Sequence, residues 1–326
     1  MLFDTYNRVH DYLRISITDN CNLRCFYCMP DENYIHTPSV RMMQADEIVK
    51  LAGIFVGLGV KKIRLTGGEP LLRKDAAAII RALSKLPVKL TLTTNGTRLP
   101  EFLGVLQQAS VKSINVSLDS LKAETFNTIT RRNQHHRVLD YIHLAIGAGM
   151  RIKINVVVMR GLNDGEIVDF VRWTKETPVH VRFIEFMPFE GNHWTSNKVL
   201  TWQEMLAAVQ TEFSFVPLQG ERHDTDKKYM VPGHAGTFSV ISPMSAPFCG
   251  DCNRMRLTAD GKMKNCLFST GETDLLTPLR KGEDVVPLIR KSVFAKAEKL
   301  GGQFEGHFNL VQAGLLRNRT MIAIGG

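Results

Sequence analysis

No apolar run in this chain approaches the roughly 18 consecutive residues that a membrane-crossing helix needs. The first residues, Met-Leu-Phe-Asp-Thr-Tyr-Asn-Arg, lack the charged-then-apolar order of a secretory signal, so a cytoplasmic protein is expected. Cysteine is scarce, with six among 326 residues. All six fall into two triplets, Cys21/Cys25/Cys28 and Cys249/Cys252/Cys266, an arrangement that argues against the disulfide framework of a small secreted domain. Internal repeats, low-complexity tracts and Pro/Gly-rich linkers are also lacking, which argues against a solenoid or a string of loosely tethered modules. What is present is ordinary for a globular chain: 44% hydrophobic and 22% charged residues. The formal net charge of +9 suits nucleic acid, a membrane surface or a polyphosphate, and charge alone does not choose among them.

Up to about residue 213, short β-rich runs alternate with amphipathic helical stretches. The predicted strands are 12–18, 62–66, 89–94, 113–118, 152–159 and 180–186. Helix patterns between them include 45–58, 74–85, 135–149 and 165–175. Such alternation predicts a parallel α/β sheet built from right-handed βα units. Six units make a partial (βα)6 TIM-like barrel, two short of the complete fold; a doubly wound sheet is the alternative. Residues 1–213 are assigned to this barrel. Residues 214–326 form an α+β region that packs against its open side. Segments 215–218, 237–241, 254–258 and 262–267 read there as short antiparallel strands, with a hairpin turn at Asp260-Gly261 and a helix over 284–299 kinked at Pro287.

The spacing Cys21-Asn-Leu-Arg-Cys25-Phe-Tyr-Cys28 packs three thiolates into one short loop. A cubane 4Fe-4S cluster takes four ligands, and the missing fourth leaves one iron open to a substrate. A zinc loop or unrelated reduced thiols are the plainer readings. The motif resembles that of the radical S-adenosylmethionine (SAM) enzymes, in which the open iron chelates SAM and one-electron cleavage yields a 5′-deoxyadenosyl radical. Thr66-Gly67-Gly68-Glu69-Pro70 follows the second strand. Its glycines permit close backbone approach, and Glu69 is an anion suited to accept from an ammonium group; it resembles the GGEP segment that binds the SAM amino group. Polar residues recur at later strand ends, in 93–96, at Ser117 and Asp119, and at Asn155. In βα barrels those ends share one mouth.

The second triplet, Cys249-Gly-Asp-Cys252 with Cys266 beyond the hairpin, again offers three thiolates and no obvious fourth ligand. A structural zinc completed by His223 or His234 competes with a second cluster at this point. Asn253-Arg254-Met255-Arg256 lies between the cysteines, and on a strand Arg254 and Arg256 face the same way. Paired guanidinium groups suit a polyanionic substrate.

The segments CNLRCFYCMP, KKIRLTGGEPLLR, TLTTNG, INVSLDSL, KINVVVMRGLND, RFIEFM, CGDCNRMRLTADGKMKNCLF and the final Gly-Gly together resemble the GTP 3′,8-cyclases of molybdenum-cofactor biosynthesis, nearly end to end. The resemblance implies a lyase-class radical SAM enzyme with two 4Fe-4S clusters. Cys21, Cys25 and Cys28 would hold the SAM cluster, and Tyr27, Gly68, Ser117 and Met187 would contact SAM. Cys249, Cys252 and Cys266 would hold a second cluster that faces the substrate. Arg14, Lys62, Arg64, Thr93, Lys153, Arg182, Arg254, Met255 and Arg256 would line the GTP site, with Arg254 and Arg256 as catalytic candidates. Abstraction of the ribose C3′ hydrogen and bonding of C3′ to C8 would give 3′,8-cyclo-7,8-dihydro-GTP, the first step toward molybdopterin. The implied partners are an electron donor such as flavodoxin or ferredoxin and a downstream cyclic pyranopterin monophosphate synthase; a homodimer is compatible, and neither nucleic acid nor membrane is expected. Two departures stand out. Residues 188–192 replace an Asp-Val-Gly type continuation, and Met255 is bulkier than the Ala expected between the arginines. The Gly325-Gly326 end resembles a tail that enters the active site. A peptide-modifying enzyme with two clusters and a zinc-containing nucleic-acid binder are the competing functions.

Overall fold

The computed structural model describes residues 1–304, 307–311 and 316–326. Strands β1 (Tyr12–Ser16), β2 (Lys62–Thr66), β3 (Lys89–Thr94), β4 (Ser113–Ser117), β5 (Arg151–Val158) and β6 (His180–Glu185) pair in sequence order, all parallel. Helices α1 (Ala45–Gly57), α2 (Ala76–Leu83), α3 (Leu99–Gln108), α4 (Ala123–Thr130), α5 (His135–Gly147) and α6 (Ile167–Trp173) fill the crossovers. The six predicted βα units are all present.

The C-terminal third departs from expectation. After α7 (Trp202–Gln210) come β7 (Val216–Pro217), β8 (Asp226–Met230), β9 (Thr237–Ile241), β10 (Arg254–Leu257), β11 (Lys262–Lys264) and β12 (Thr273–Asp274). These strands do not form a separate antiparallel layer. β9 joins β6 and β10 joins β1, both parallel, so eight consecutive parallel strands run β10-β1-β2-β3-β4-β5-β6-β9. The antiparallel pairs β10–β11–β12 and β9–β8–β7 extend the two edges. The hydrogen-bonded order of twelve strands ends at β12 and β7 and does not close on itself. Extension of the sheet thus replaces the expected six-stranded barrel closed from outside. The physical reason is that Phe238, Val240, Met255 and Leu257 are buried apolar residues, which suit interior strands covered on both faces.

Two smaller corrections concern the last third. β11 stops at Lys264, so Cys266 lies beyond the strand. Of the remaining helices α8 (Leu276–Arg280), α9 (Val286–Phe294) and α10 (Met321–Ile324), α9 carries Pro287 in its first turn, where the missing N–H costs nothing, and no kink results. Gly261 does turn the hairpin: its φ is 71°, and an added Cβ would lie 2.4 Å from the Leu276 Cβ.

Period-two alternation separates two environments. Leu13, Ile15, Ile63, Leu65, Ile114, Val116, Ile152, Ile154, Val181 and Phe183 turn outward into the core under the helices, each with at most 2% exposure. The alternate positions turn inward and are strongly polar. The interior of this sheet is a chamber, not a packed plug.

Candidate active site

The chamber encloses a cavity of about 320 Å³, and both cysteine triplets line it. The first triplet sits on the loop after β1. That loop is closed by Cys28 and Met29 N–H groups donating to the Cys25 carbonyl at 2.9 and 2.8 Å, and it is tethered to the end of α4 through Arg24 and Phe26. Gly67 and Gly68 let the β2 turn press against it. A Cβ on Gly68 would lie 2.5 Å from the Asn20 carbonyl oxygen, and the Gly68 and Glu69 N–H groups donate to Thr18 and Asn20 at 2.7 Å. The glycines here serve chain-to-chain approach beside the cysteines.

Glu69 differs from its expected use. It is fully buried and accepts from Leu71 N–H (2.9 Å), Thr94 Oγ1 (2.8 Å) and Asn95 N–H (2.6 Å). Burial lifts its carboxyl to about 7 against those donors. Its role is to bind the ends of β2 and β3 together, while Asn95, Ser117 and Asp119 present polar groups to the cavity. Tyr27 donates its hydroxyl to Asp119 at 2.7 Å, and Asp119 also accepts from Val157 N–H at 2.8 Å. Burial raises the Asp119 carboxyl to about 6. Tyr27, Gly68, Ser117 and Met187, the residues expected to contact SAM, all line the cavity.

The inward residues of the sheet carry the charge. Register places Arg14 between Arg64 on β2 and Arg256 on β10, with Lys62 one pleat further down. Arg64 donates to the Tyr12 hydroxyl (2.6 Å), the Leu92 carbonyl (3.0 Å) and Thr93 Oγ1 (3.3 Å). Burial would raise the Tyr12 phenol, but Arg64, Arg14 and Lys62 outweigh it and bring it to about 7. Burial, reinforced by Arg182, pushes Lys153 down to about 8; burial brings Arg256 to about 10 and Arg14 well below its usual range. Among the described residues, Arg182 alone of these cations has an Asp or Glu carboxylate within 4.0 Å, the Asp226 oxygen at 3.3 Å. Burial opposes the ionised Asp226 carboxyl, yet His180 and Arg182 hold it well below the usual range. Arg14 Nε is buried with no hydrogen-bond partner. Unpaired cations packed so densely are costly unless a polyanion enters among them.

Arg14, Thr93, Arg182, Arg254 and Arg256 line the cavity itself, whereas Lys62, Arg64 and Lys153 lie on the inward strand positions beside it. The Met255 side chain does not join them. Alternation on β10 sends its side chain into the core at 1% exposure, so only its backbone faces the arginine side. The tail does enter the chamber. Arg14 donates to a main-chain oxygen of the last residue, Gly326, and Arg256 to the Gly325 carbonyl at 2.7 Å, and Ile322 N–H reaches Cys28 O at 3.3 Å.

Whether the thiols suit iron-sulfur clusters can be judged from their surroundings. Burial lifts Cys25 and Cys28 far above the ordinary thiol range and, with the Glu69 charge, brings Cys21 to about 11. Thiols so placed ionise when a cationic metal core binds them. Around the second triplet, burial raises Cys249, while Arg254 and Lys296 overcome burial and pull Cys252 to about 6. Among the described residues, no set of three His, Cys, Asp or Glu side chains is gathered for a single metal ion. A cubane places each thiolate on a different iron and needs no such convergence. The histidines proposed for zinc are engaged elsewhere. His223 Nδ1 lies 2.8 Å from the Asp251 carbonyl, and His234 Nδ1 lies 2.9 Å from Thr174 Oγ1. Neither lines the cavity. The residues fit a cluster at each triplet, both on one shared cavity.

Sequence reasoning missed Lys296, Tyr12, Asp226 and Phe248. Arg254 lies over the Phe248 ring, 4.9 Å from its centroid. None belongs to a spaced motif, so only the fold reveals them.

Comparison with known proteins agrees with this geometry. Residues 15–174 match the Radical SAM superfamily and residues 179–301 match Molybdenum Cofactor Synthesis C. The chain is 45% identical to the mitochondrial GTP 3′,8-cyclase of Arabidopsis thaliana, over all of this chain and 84% of that protein. It is 40% identical to the GTP 3′,8-cyclase of Listeria monocytogenes over 91% of each. It is also 45% identical to molybdenum cofactor biosynthesis protein 1 of Mus musculus, but there it spans about half of the relative, 51%. Among solved structures, Streptococcus suis SuiB bound to S-adenosylmethionine superposes with a TM-score of 0.61 over 86% of this chain and 68% of that one. At 15% identity this likeness concerns the fold alone. With both relatives and both matched segments in register with the two triplets, the chain belongs to the GTP 3′,8-cyclase family of radical SAM proteins.

Proposed function

We propose that this chain converts GTP to 3′,8-cyclo-7,8-dihydro-GTP, the lyase-class first step of molybdenum-cofactor biosynthesis. The observation that carries the reading is the set of cations on the inner face of the sheet, in which Arg14, Arg64, Lys153, Arg254 and Arg256 have no Asp or Glu partner within 4.0 Å among the described residues. A triphosphate supplies the missing charge. Cys21, Cys25 and Cys28 would hold one 4Fe-4S cluster, and Cys249, Cys252 and Cys266 the other. When bound, the clusters and SAM supply one-electron reduction and the 5′-deoxyadenosyl radical that removes the C3′ hydrogen.

The protein's own part is positioning and exclusion of water. Tyr27, locked by Asp119, walls the SAM side together with Ser117 and Met187. Arg14, Arg254 and Arg256 face the opposite wall, where they would bind the phosphates and hold the ribose toward SAM. Arg64 fixes the Thr93 hydroxyl that would meet the nucleotide. Met255 contributes through its main chain only. In this division residues 1–213 carry the cluster that binds SAM and residues 214–326 carry the second cluster, while GTP is held by residues of both. A one-electron donor of flavodoxin or ferredoxin type and a cytoplasmic setting go with this reading, and among the described residues no helix is long and apolar enough to cross a membrane.

The test is isotope transfer. With both clusters reconstituted anaerobically, reductant, SAM and GTP deuterated at C3′ should give 5′-deoxyadenosine one mass unit heavier. Unlabelled deoxyadenosine, formed at the same rate with or without GTP, would refute the substrate.

A further inference from the structure

Behind the second triplet lies a buried polar group that the reaction above does not use. The N-terminal segment folds back on itself through a bridge between Phe3 and Val9 and carries Asp4, Arg8 and His10 inward. Asp4 accepts from Arg8 Nε at 2.6 Å and lies 3.0 Å from His10 Nε2. Arg8 then donates to the carbonyls of Cys249 (2.8 Å), Glu298 (2.7 Å) and Ala297 (2.9 Å). It thereby ties the first cysteine of the triplet to the chain that follows α9. Leu300 N–H lies 3.4 Å from Cys249 Sγ.

Lys296 is at the centre of this group and is 3% exposed. Its Nζ is 3.4 Å from Cys252 Sγ, 2.9 Å from the Arg254 carbonyl and 3.5 Å from His10 Nδ1. Among the described residues no carboxylate lies within ion-pair distance of it; the nearby Asp4 is taken by Arg8 and His10. An ammonium group so deeply buried needs an anion, and the ligand sulfur is the one it touches. Hydrogen bonds to ligand sulfurs and local charge set the reduction potential of iron-sulfur clusters.

We propose that Lys296, seated by the Asp4–Arg8–His10 group, is a positioning residue that raises the reduction potential of the second cluster by donating to Cys252. The inference rests on the reading of Cys249, Cys252 and Cys266 as cluster ligands. The donor favours the reduced cluster because reduction adds negative charge beside it. No atom is transferred, and the electron comes from the external one-electron donor. Lys296 touches Cys252 Sγ and does not line the cavity, so it acts on that cluster through the sulfur and not through the substrate.

The test uses the full chain with Cys21, Cys25 and Cys28 replaced by alanine, so that only the second site can load. Iron analysis should give roughly four irons per chain, and redox titration followed by electron paramagnetic resonance gives the potential. In that background Lys296→Met should raise the ratio of oxidised to reduced cluster at least tenfold at a fixed potential, a shift of 59 mV for one electron. Lys296→Arg should stay within threefold of the parent. An unchanged ratio in Lys296→Met with the iron retained overturns the proposal. If Lys296→Met fails to load, Lys296→Gln decides: a ratio raised at least threefold supports the charge argument, and a parental value or a failure to load overturns it. A folded parent chain that takes up no iron would remove the cluster reading first, and the proposal with it.

Discussion

Glu185 offers the sharpest stability test. It ends β6, two residues before Met187, and is fully buried. One carboxylate oxygen accepts from Trp202 N–H at 3.0 Å and from the Ser245 hydroxyl, and the other accepts from Met244 and Ser245 N–H groups at 2.8 and 2.9 Å. A single side chain thus ties the start of α7 and the segment after β9 to the sheet. Glu185→Ala strands three backbone donors, that of Met244 buried and those of Trp202 and Ser245 partly buried, at about 1–3 kcal/mol each. Because some water enters the vacated space, a net loss of about 4–6 kcal/mol is expected. Glu185→Gln keeps one accepting oxygen and strands about one donor, so a loss of about 1–3 kcal/mol is expected. Urea unfolding of the reduced, cluster-free chain, read as a shift in midpoint at constant slope, measures both. The reasoning fails if the two variants lie within 1 kcal/mol of each other, or if Ala lies that close to wild type.

Met255→Ala should cost about 2–5 kcal/mol of stability and Met255→Leu less than about 1.5, with KM for GTP unchanged in the Leu variant; a raised KM there would return the side chain to the substrate. Lys153 is pushed down to about 8 from 10.5, so between those values the unfolded chain binds the extra proton and wild-type stability rises with pH. Lys153→Met should therefore be more stable than wild type below pH 8, with the gap closing toward pH 10.5; a gap independent of pH would contradict the assignment. Gly261→Ala should unseat the β10–β11 hairpin through the Leu276 contact and lower iron in the second site, leaving the first loaded. Full iron loading would show that the hairpin tolerates the strain.

The six βα units were legible because each inward-facing polar position alternates with a buried aliphatic one, a pattern visible without neighbours. The cysteine triplets were legible because local spacing alone constrains them. What escaped notice depends on distance along the chain. Nothing in TFSVI or RMRL says whether its neighbour will be parallel, since β9 pairs with β6 across more than 50 residues and β10 with β1 across about 240. Met255 entered the GTP site by resemblance, and the period of two turns its side chain into the core while its main chain stays beside the arginines. Lys296 carries no motif and meets Cys252 only because the turn that follows α9 comes back to the start of β10. Glu69 was read by its charge as a ligand for an ammonium group, while its burial and three donors make it a local tie.

The pairing of β1 with β10 has a further consequence. The first triplet follows the former strand and the second flanks the latter, and the two strands are neighbours in one ladder, Arg14 opposite Arg256. The gap between the two cysteine sites is therefore set by backbone hydrogen bonds, as the spacing of rungs is set by the rails. A hinge between lobes could open or narrow such a gap for ligands of different length; a continuous sheet cannot. Selection is then by span: a molecule must reach from one wall to the other. A change of substrate in such a frame has to come from the side chains that fill the space.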